Sequence, residues 1–246
     1  MTFIGFFKSL GWADWLGLAW FLVCWSGYER LVEKGWKGHS TLLVEGHHLR
    51  VQWARQLLTR ENRIVDCALV ANLVSSVNFY ANTSIYIIAG LFATLGALDR
   101  FMDTAAELQF SRSFSREAME LKLILLITIF VVAYFKFTWA LRQFNVLSIT
   151  TGAVPPRESS PEVLERFAQK HAAVNTCAGD DFNRGLRAYY FGLAVLGWML
   201  SPWLFIIATT VVVYVQARRE FDSPVLRALR DADTLPAPEL GGAPKV

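Results

Sequence analysis

The sequence predicts an all-α integral membrane protein, a four-helix bundle with amphipathic and cytoplasmic helical extensions, built as a single membrane domain over residues 1–246. Three observations lead there. The chain is 54% hydrophobic and 18% charged, with a mean hydropathy of +0.33, against roughly 45–50% apolar and about 25% charged in soluble domains. Its apolar residues gather into four stretches, each near or above the ~20 residues that cross a bilayer core. With 8 Pro, 16 Gly and 3 Cys, collagen-like, disordered and disulfide-rich classes are excluded. The net charge of +3 is too small to suggest nucleic acid, and the lipid bilayer is the expected partner.

The first expected span covers about 10–28, with Asp14 as its only charge. Its n-region holds a single Lys8, and its exit at Tyr28-Glu29-Arg30 lacks a small-x-small cleavage site, so a retained helix is expected rather than a signal peptide. Trp12, Trp15, Trp20 and Trp25 suit a membrane helix, those near its ends as interfacial anchors.

The second span, 67–98, is uncharged, and as one helix its 32 residues would be ~48 Å long. On a helical wheel Asn72, Ser75, Ser76, Phe79, Asn82, Thr83, Tyr86, Gly90 and Thr94 share one arc. Opposite lie Val70, Leu73, Val74, Val77, Ala81 and Ile88. One face is built for lipid and the other for protein or water, because an unpartnered Asn in hydrocarbon costs several kcal/mol.

The third span, 121–141, carries Lys122 and Lys136. Only thirteen residues separate them, ~20 Å of helix, so both can snorkel to opposite interfaces. Alternatively Lys136 faces inward, with Arg142 below it, against Asn72, Ser76 or Asn82. The fourth span, 188–215, has Pro202 near its middle.

Between the spans, residues 47–64 form a basic amphipathic stretch with Leu49, Trp53, Leu57 and Ile64 at helical spacing. It suits either a helix on an anionic leaflet or one packed on the protein's own surface. Without Gly or Pro before residue 67, it and the second span can form one bent rod. Ser115 is expected to start the third helix. Ser160 and Pro161 mark another helix start, and Gly179-Asp180-Asp181 is expected to break that helix. The tail, 224–246, reads as flexible.

With four spans, the loops 29–66 and 142–187 share thirteen Lys and Arg, while the opposite side has nine. The excess puts those loops in the cytoplasm and both termini outside.

Catalytic or metal chemistry finds little to work with. Cys24, Cys67 and Cys177 lack paired spacing, and His39, His47, His48 and His171 all lie outside the spans. No HExxH, GxSxG, P-loop or GxGxxG occurs. No cofactor, metal site or catalytic residue is expected, and an enzyme is the less favoured reading.

Four segments in order carry a resemblance: Arg60 to Asp66 (RENRIVD), Asn72 to Thr83 (NLVSSVNFYANT), Phe135 to Asn145 (FKFTWALRQFN) and Arg187 to Trp203 (RAYYFGLAVLGWMLSPW). A close at Arg219 to Ser223 (REFDS) adds to them. Together they resemble the bacterial and plant membrane proteins grouped as domain of unknown function 599. The resemblance implies a four-span integral membrane protein of a bacterial-type inner membrane, and brings no activity, substrate or cofactor. It also draws attention to Arg142, Glu61 and Asp66, where an ion pair from Arg142 to Glu61 or Asp66 would tie the second and third helices together.

The functional expectation is a homo-oligomeric channel or transporter for a small solute or anion. Asn72, Ser75, Ser76, Asn82 and Thr83 would form its polar face, with Lys136 and Arg142 as fixed positive charge. The alternative is an accessory or scaffold subunit that docks a partner membrane subunit through the same face.

Overall fold

The computed structural model describes residues 10–34, 41–107 and 115–232; His39 and the tail beyond 232 lie outside them. The described residues are all-α: α1 (Trp12–Lys34), α2 (Leu42–Thr59), α3 (Ile64–Gly96), α4 (Leu98–Glu107), α5 (Arg116–Gly152), α6 (Pro161–Leu200), α7 (Pro202–Phe221) and α8 (Pro224–Ala232). Of these, α3 and α5 are long and apolar enough to cross a membrane.

Local signals set several boundaries. The Ser115 hydroxyl accepts the Ala118 N–H and opens α5, and α6 begins with Pro161 in its first turn. Residues 42–96 are two helices, not one rod. α2 ends at Thr59, Arg60 turns extended, and the Asn62 side chain accepts the Ile64 N–H at the start of α3.

Neighbouring helices lie in the order α3, α5, α6, α7, α1, and α2 runs along the first half of α6. Residue pairs fix the directions. Lys122 meets Trp198 and Thr151 meets His171, so α5 and α6 are antiparallel. Trp12 meets Trp203 and Trp20 meets Thr210, so α1 and α7 run side by side in one direction. One end of the bundle gathers the starts of α1, α5 and α7 with the ends of α3 and α6. The other gathers α2, the starts of α3 and α6, and the ends of α5 and α7.

Two elements depart from expectation. Gly179-Asp180-Asp181 does not break α6, which runs through for 40 residues. A Cβ at Gly179 would stand 2.5 Å from Arg50 Nη2, so this glycine makes room for a guanidinium from α2 and does not terminate a helix. The segment 188–215 is two helices. Ser201 is extended, and α7 folds back along α6 with Trp198 stacked on Phe205 at 4.9 Å. Pro202 has no N–H to give the Trp198 carbonyl. Lys122 Nζ takes that carbonyl instead, at 2.9 Å.

The core is aromatic. Phe137 is fully buried against Gly185, where a Cβ would lie 2.5 Å from the ring, and Tyr80 stacks on Phe137 at 5.6 Å. Phe21 and Trp25 of α1 pack on Phe191 of α6. The amphipathic α2 packs on the protein itself, with Val51 and Ala54 buried against Ala168 and Ala172.

Candidate functional site

α3 turns its apolar face inward. Val70, Val77 and Ala81 are buried, and Ser84 Oγ meets Tyr189 OH of α6 at 2.8 Å. The polar arc therefore points out of the chain. Asn72, Ser75, Ser76 and Asn82 are exposed and Thr83 is half-buried, while Phe79 and Tyr86 on the same line are 65% and 76% exposed. Positions 72, 76, 79, 83, 86 and 90 recur every three or four residues, the spacing of a helix seam that meets another helix. Several hydroxyls are already spent on their own helix: Ser76 donates to the Asn72 carbonyl (3.0 Å), Thr83 to Phe79 (2.7 Å) and Thr94 to Gly90 (2.9 Å). The Asn72 and Asn82 carboxamides make no hydrogen bond to the described residues.

The charged candidates lie elsewhere. Lys136 Nζ stands 3.5 Å from Asp181 Oδ1 of α6, a carboxylate that also accepts from Gln143 (2.6 Å) and Arg184 (3.4 Å). Arg142 lies over the Trp139 ring, 5.8 Å from its centroid. Asp66 is fully buried and takes hydrogen bonds from Trp53 Nε1 (2.7 Å) and from Arg60. Glu61 is an exposed partner of Arg157 at 3.4 Å. Asp66 thus ties α2 to α3, and Lys136 ties α5 to α6. Neither cation reaches the α3 line.

One cluster escaped the sequence reasoning. Lys122, 1% exposed, lies 3.7 Å from Asp14 Oδ1, and Trp198 Nε1 donates to the same oxygen at 2.7 Å. Three helices, α1, α5 and α6, meet on these groups. A signal was present: Asp14 and Lys122 lie near the starts of two spans that run in the same direction, at similar depth.

A second buried polar group sits at the opposite end. His171, 1% exposed, places Nε2 3.1 Å from Thr151 Oγ1, and its Nδ1 is buried without a hydrogen-bond partner. Burial holds the imidazole below its ordinary value, and the Asp66 carboxylate opposes that shift. The unfolded chain therefore takes up this proton first as pH falls. His171 contributes its full stability above about pH 6.5, and the contribution is lost as pH falls through the ordinary imidazole range toward the lowered folded value. Thermal melts of detergent-solubilised protein from pH 8 to 5 should drop more steeply for the wild type than for His171→Gln. Parallel curves would contradict this.

Among the described residues no group of three His, Cys, Asp or Glu side chains gathers to hold a metal. The family model described as "Protein of unknown function, DUF599" matches residues 16–225, and the chain belongs to that family. No curated protein and no solved structure matches it.

Proposed function

We propose that the protein is an integral membrane protein that self-associates along the polar line of α3, and that the resulting seam conducts a small polar solute. The observation that carries this is the line itself. It is an uncharged row of Asn, Ser and Thr on the outside of a membrane-length helix whose apolar face is already used inside. In hydrocarbon such groups need partners. A second copy supplies them without like-charge repulsion, because residues 67–98 carry no charge. Lys136 is held at Asp181 and Arg142 lies over Trp139, both away from the α3 line, so the seam itself carries no charged side chain and suits a neutral polar solute better than an anion.

The fold-back at Ser201 supports five crossings, by α1, α3, α5, α6 and α7. Residues 29–66, 142–187 and 216–246 then share one side. They hold eighteen Lys and Arg against four in 1–14 and 99–120. The positive-inside rule puts that side in the cytoplasm, with the N-terminal segment across the membrane from the C-terminal one. A bacterial-type inner membrane fits this arrangement.

The second reading, a scaffold that docks a partner membrane subunit, is favoured by the back-bonded Ser76, Thr83 and Thr94 hydroxyls. These suit a dry, packed contact. Single cysteines at 72, 76, 79, 83, 86 and 90, in a chain lacking Cys24, Cys67 and Cys177, separate the two. A membrane-impermeant thiol reagent applied to sealed vesicles from each side should label past position 83 if the seam is wet. Labelling that stops at 72 and 76 overturns conduction and leaves the scaffold.

A further inference from the structure

We infer that one chain also holds a binding site for an amphiphilic anion, a phosphate or carboxylate head on an apolar chain, in the cavity where α2 lies along α6. The cavity measures about 400 Å³, is open on one side and is lined also by Leu73 of α3 and Phe144 of α5, within the size range of small-ligand pockets. Its polar lining is Arg50, Asn175 and Asn183; Trp53, Phe144 and Phe182, with Leu49, line its apolar wall.

Arg50 is the reason to expect an anion. Its Nη1 is buried and has no hydrogen-bond partner. Its guanidinium is seated between glycines of two helices: an added Cβ at Gly179 would lie 2.5 Å from Nη2, and one at Gly46 3.5 Å from Nη1. A buried guanidinium N–H left without an acceptor is costly. Asp180 acts on it through space but makes no hydrogen bond to it, and Asp180 Oδ1 is itself buried without a partner.

Asn175 is 3% exposed, and neither it nor Asn183 hydrogen-bonds to the described residues, so both carboxamides are free to donate to a head group beside the guanidinium. The aromatic wall, continued by Leu73 of α3, offers an apolar chain van der Waals contact, the Trp53 N–H being already given to Asp66. Charge, amides and apolar wall together fit an amphiphile rather than a bare ion. The site lies within one chain, so it stands or falls separately from the α3 seam.

The probe is octyl phosphate, titrated into delipidated full-length protein in a neutral detergent and read by tryptophan fluorescence and melting temperature. Saturable binding is expected, weakened about tenfold or more in Arg50→Gln, the loss of roughly 1.4 kcal/mol or more of binding. Asn183→Leu keeps the cation and should weaken binding in the same direction, which decides the matter if Arg50→Gln does not fold. Octanol and inorganic phosphate should each compete at least tenfold more weakly than octyl phosphate. The proposal is overturned if octyl phosphate binds no better than octanol, if inorganic phosphate competes equally, or if binding is unchanged in the variants that fold.

Repeating the titration in nanodiscs separates the sources. Weaker octyl phosphate binding in phosphatidylglycerol than in phosphatidylcholine discs supports occupancy by an anionic lipid head. Equal binding in both supports a soluble amphiphile.

Discussion

Asp14→Ala will destabilise the folded chain by about 3–5 kcal/mol, the usual consequence of removing one partner from a buried ion pair. The substitution leaves the Lys122 ammonium, 1% exposed, without its carboxylate. It also takes the acceptor from the Trp198 indole. Lys122→Met will act as strongly by a different route, because the Trp198 carbonyl that Pro202 cannot serve loses its donor. The double variant Asp14→Leu/Lys122→Met should recover part of the loss, since no unpaired charge then remains buried. Denaturant unfolding in a mild detergent, arranged as a double-mutant cycle, reads the coupling directly. Single variants that each cost under about 1 kcal/mol would show that the pair is solvated and does not hold the helices together.

The second large effect is all-or-none. A reporter fused after α8 will register the cytoplasm, and one fused before α1 will register the opposite side. The assignment rests on the reversal at Ser201, where α7 returns along α6 with Trp198 on Phe205 and Tyr190 OH accepting from Arg219 at 3.0 Å. It also rests on the eighteen to four distribution of Lys and Arg. Four crossings would put both fusions on the same side. Paired alkaline phosphatase and fluorescent-protein fusions at each end distinguish the cases, and a same-side result would rule out the fifth crossing.

The helical class was legible because it rests on local features. Long apolar runs mark the helices, and Ser115 and Ser160-Pro161 carry their start signals within a few residues. What escaped depends on contacts far apart in the chain. Pro202 is visible in the sequence, but whether it kinks a helix or reverses it depends on Lys122, 80 residues earlier, taking the freed carbonyl. Gly179 reads as a breaker until Arg50, 129 residues earlier, is found lying against it. The helical wheel sorts α3 into a polar and an apolar face, but it cannot say which one neighbouring helices choose. Tyr80, Phe137 and Tyr189 decide that by claiming the apolar side. For Asp66 and Lys136 the residue types were informative but their partners were not. Arg60, Trp53 and Asp181 could be matched to them only in three dimensions.

The most direct test of self-association along α3 is disulfide cross-linking in native membranes. Ser76→Cys and Thr83→Cys lie on the polar line, and Ile85→Cys is an exposed position of the same helix off that line. Each is placed in a chain lacking Cys24, Cys67 and Cys177. A disulfide needs Cβ atoms within about 4.5 Å, so random collision contributes little under mild oxidation. Covalent dimers at 76 and 83 but not at 85 are the expected result. Equal cross-linking at all three positions, or dimers at 85 alone, would contradict a seam on the polar face.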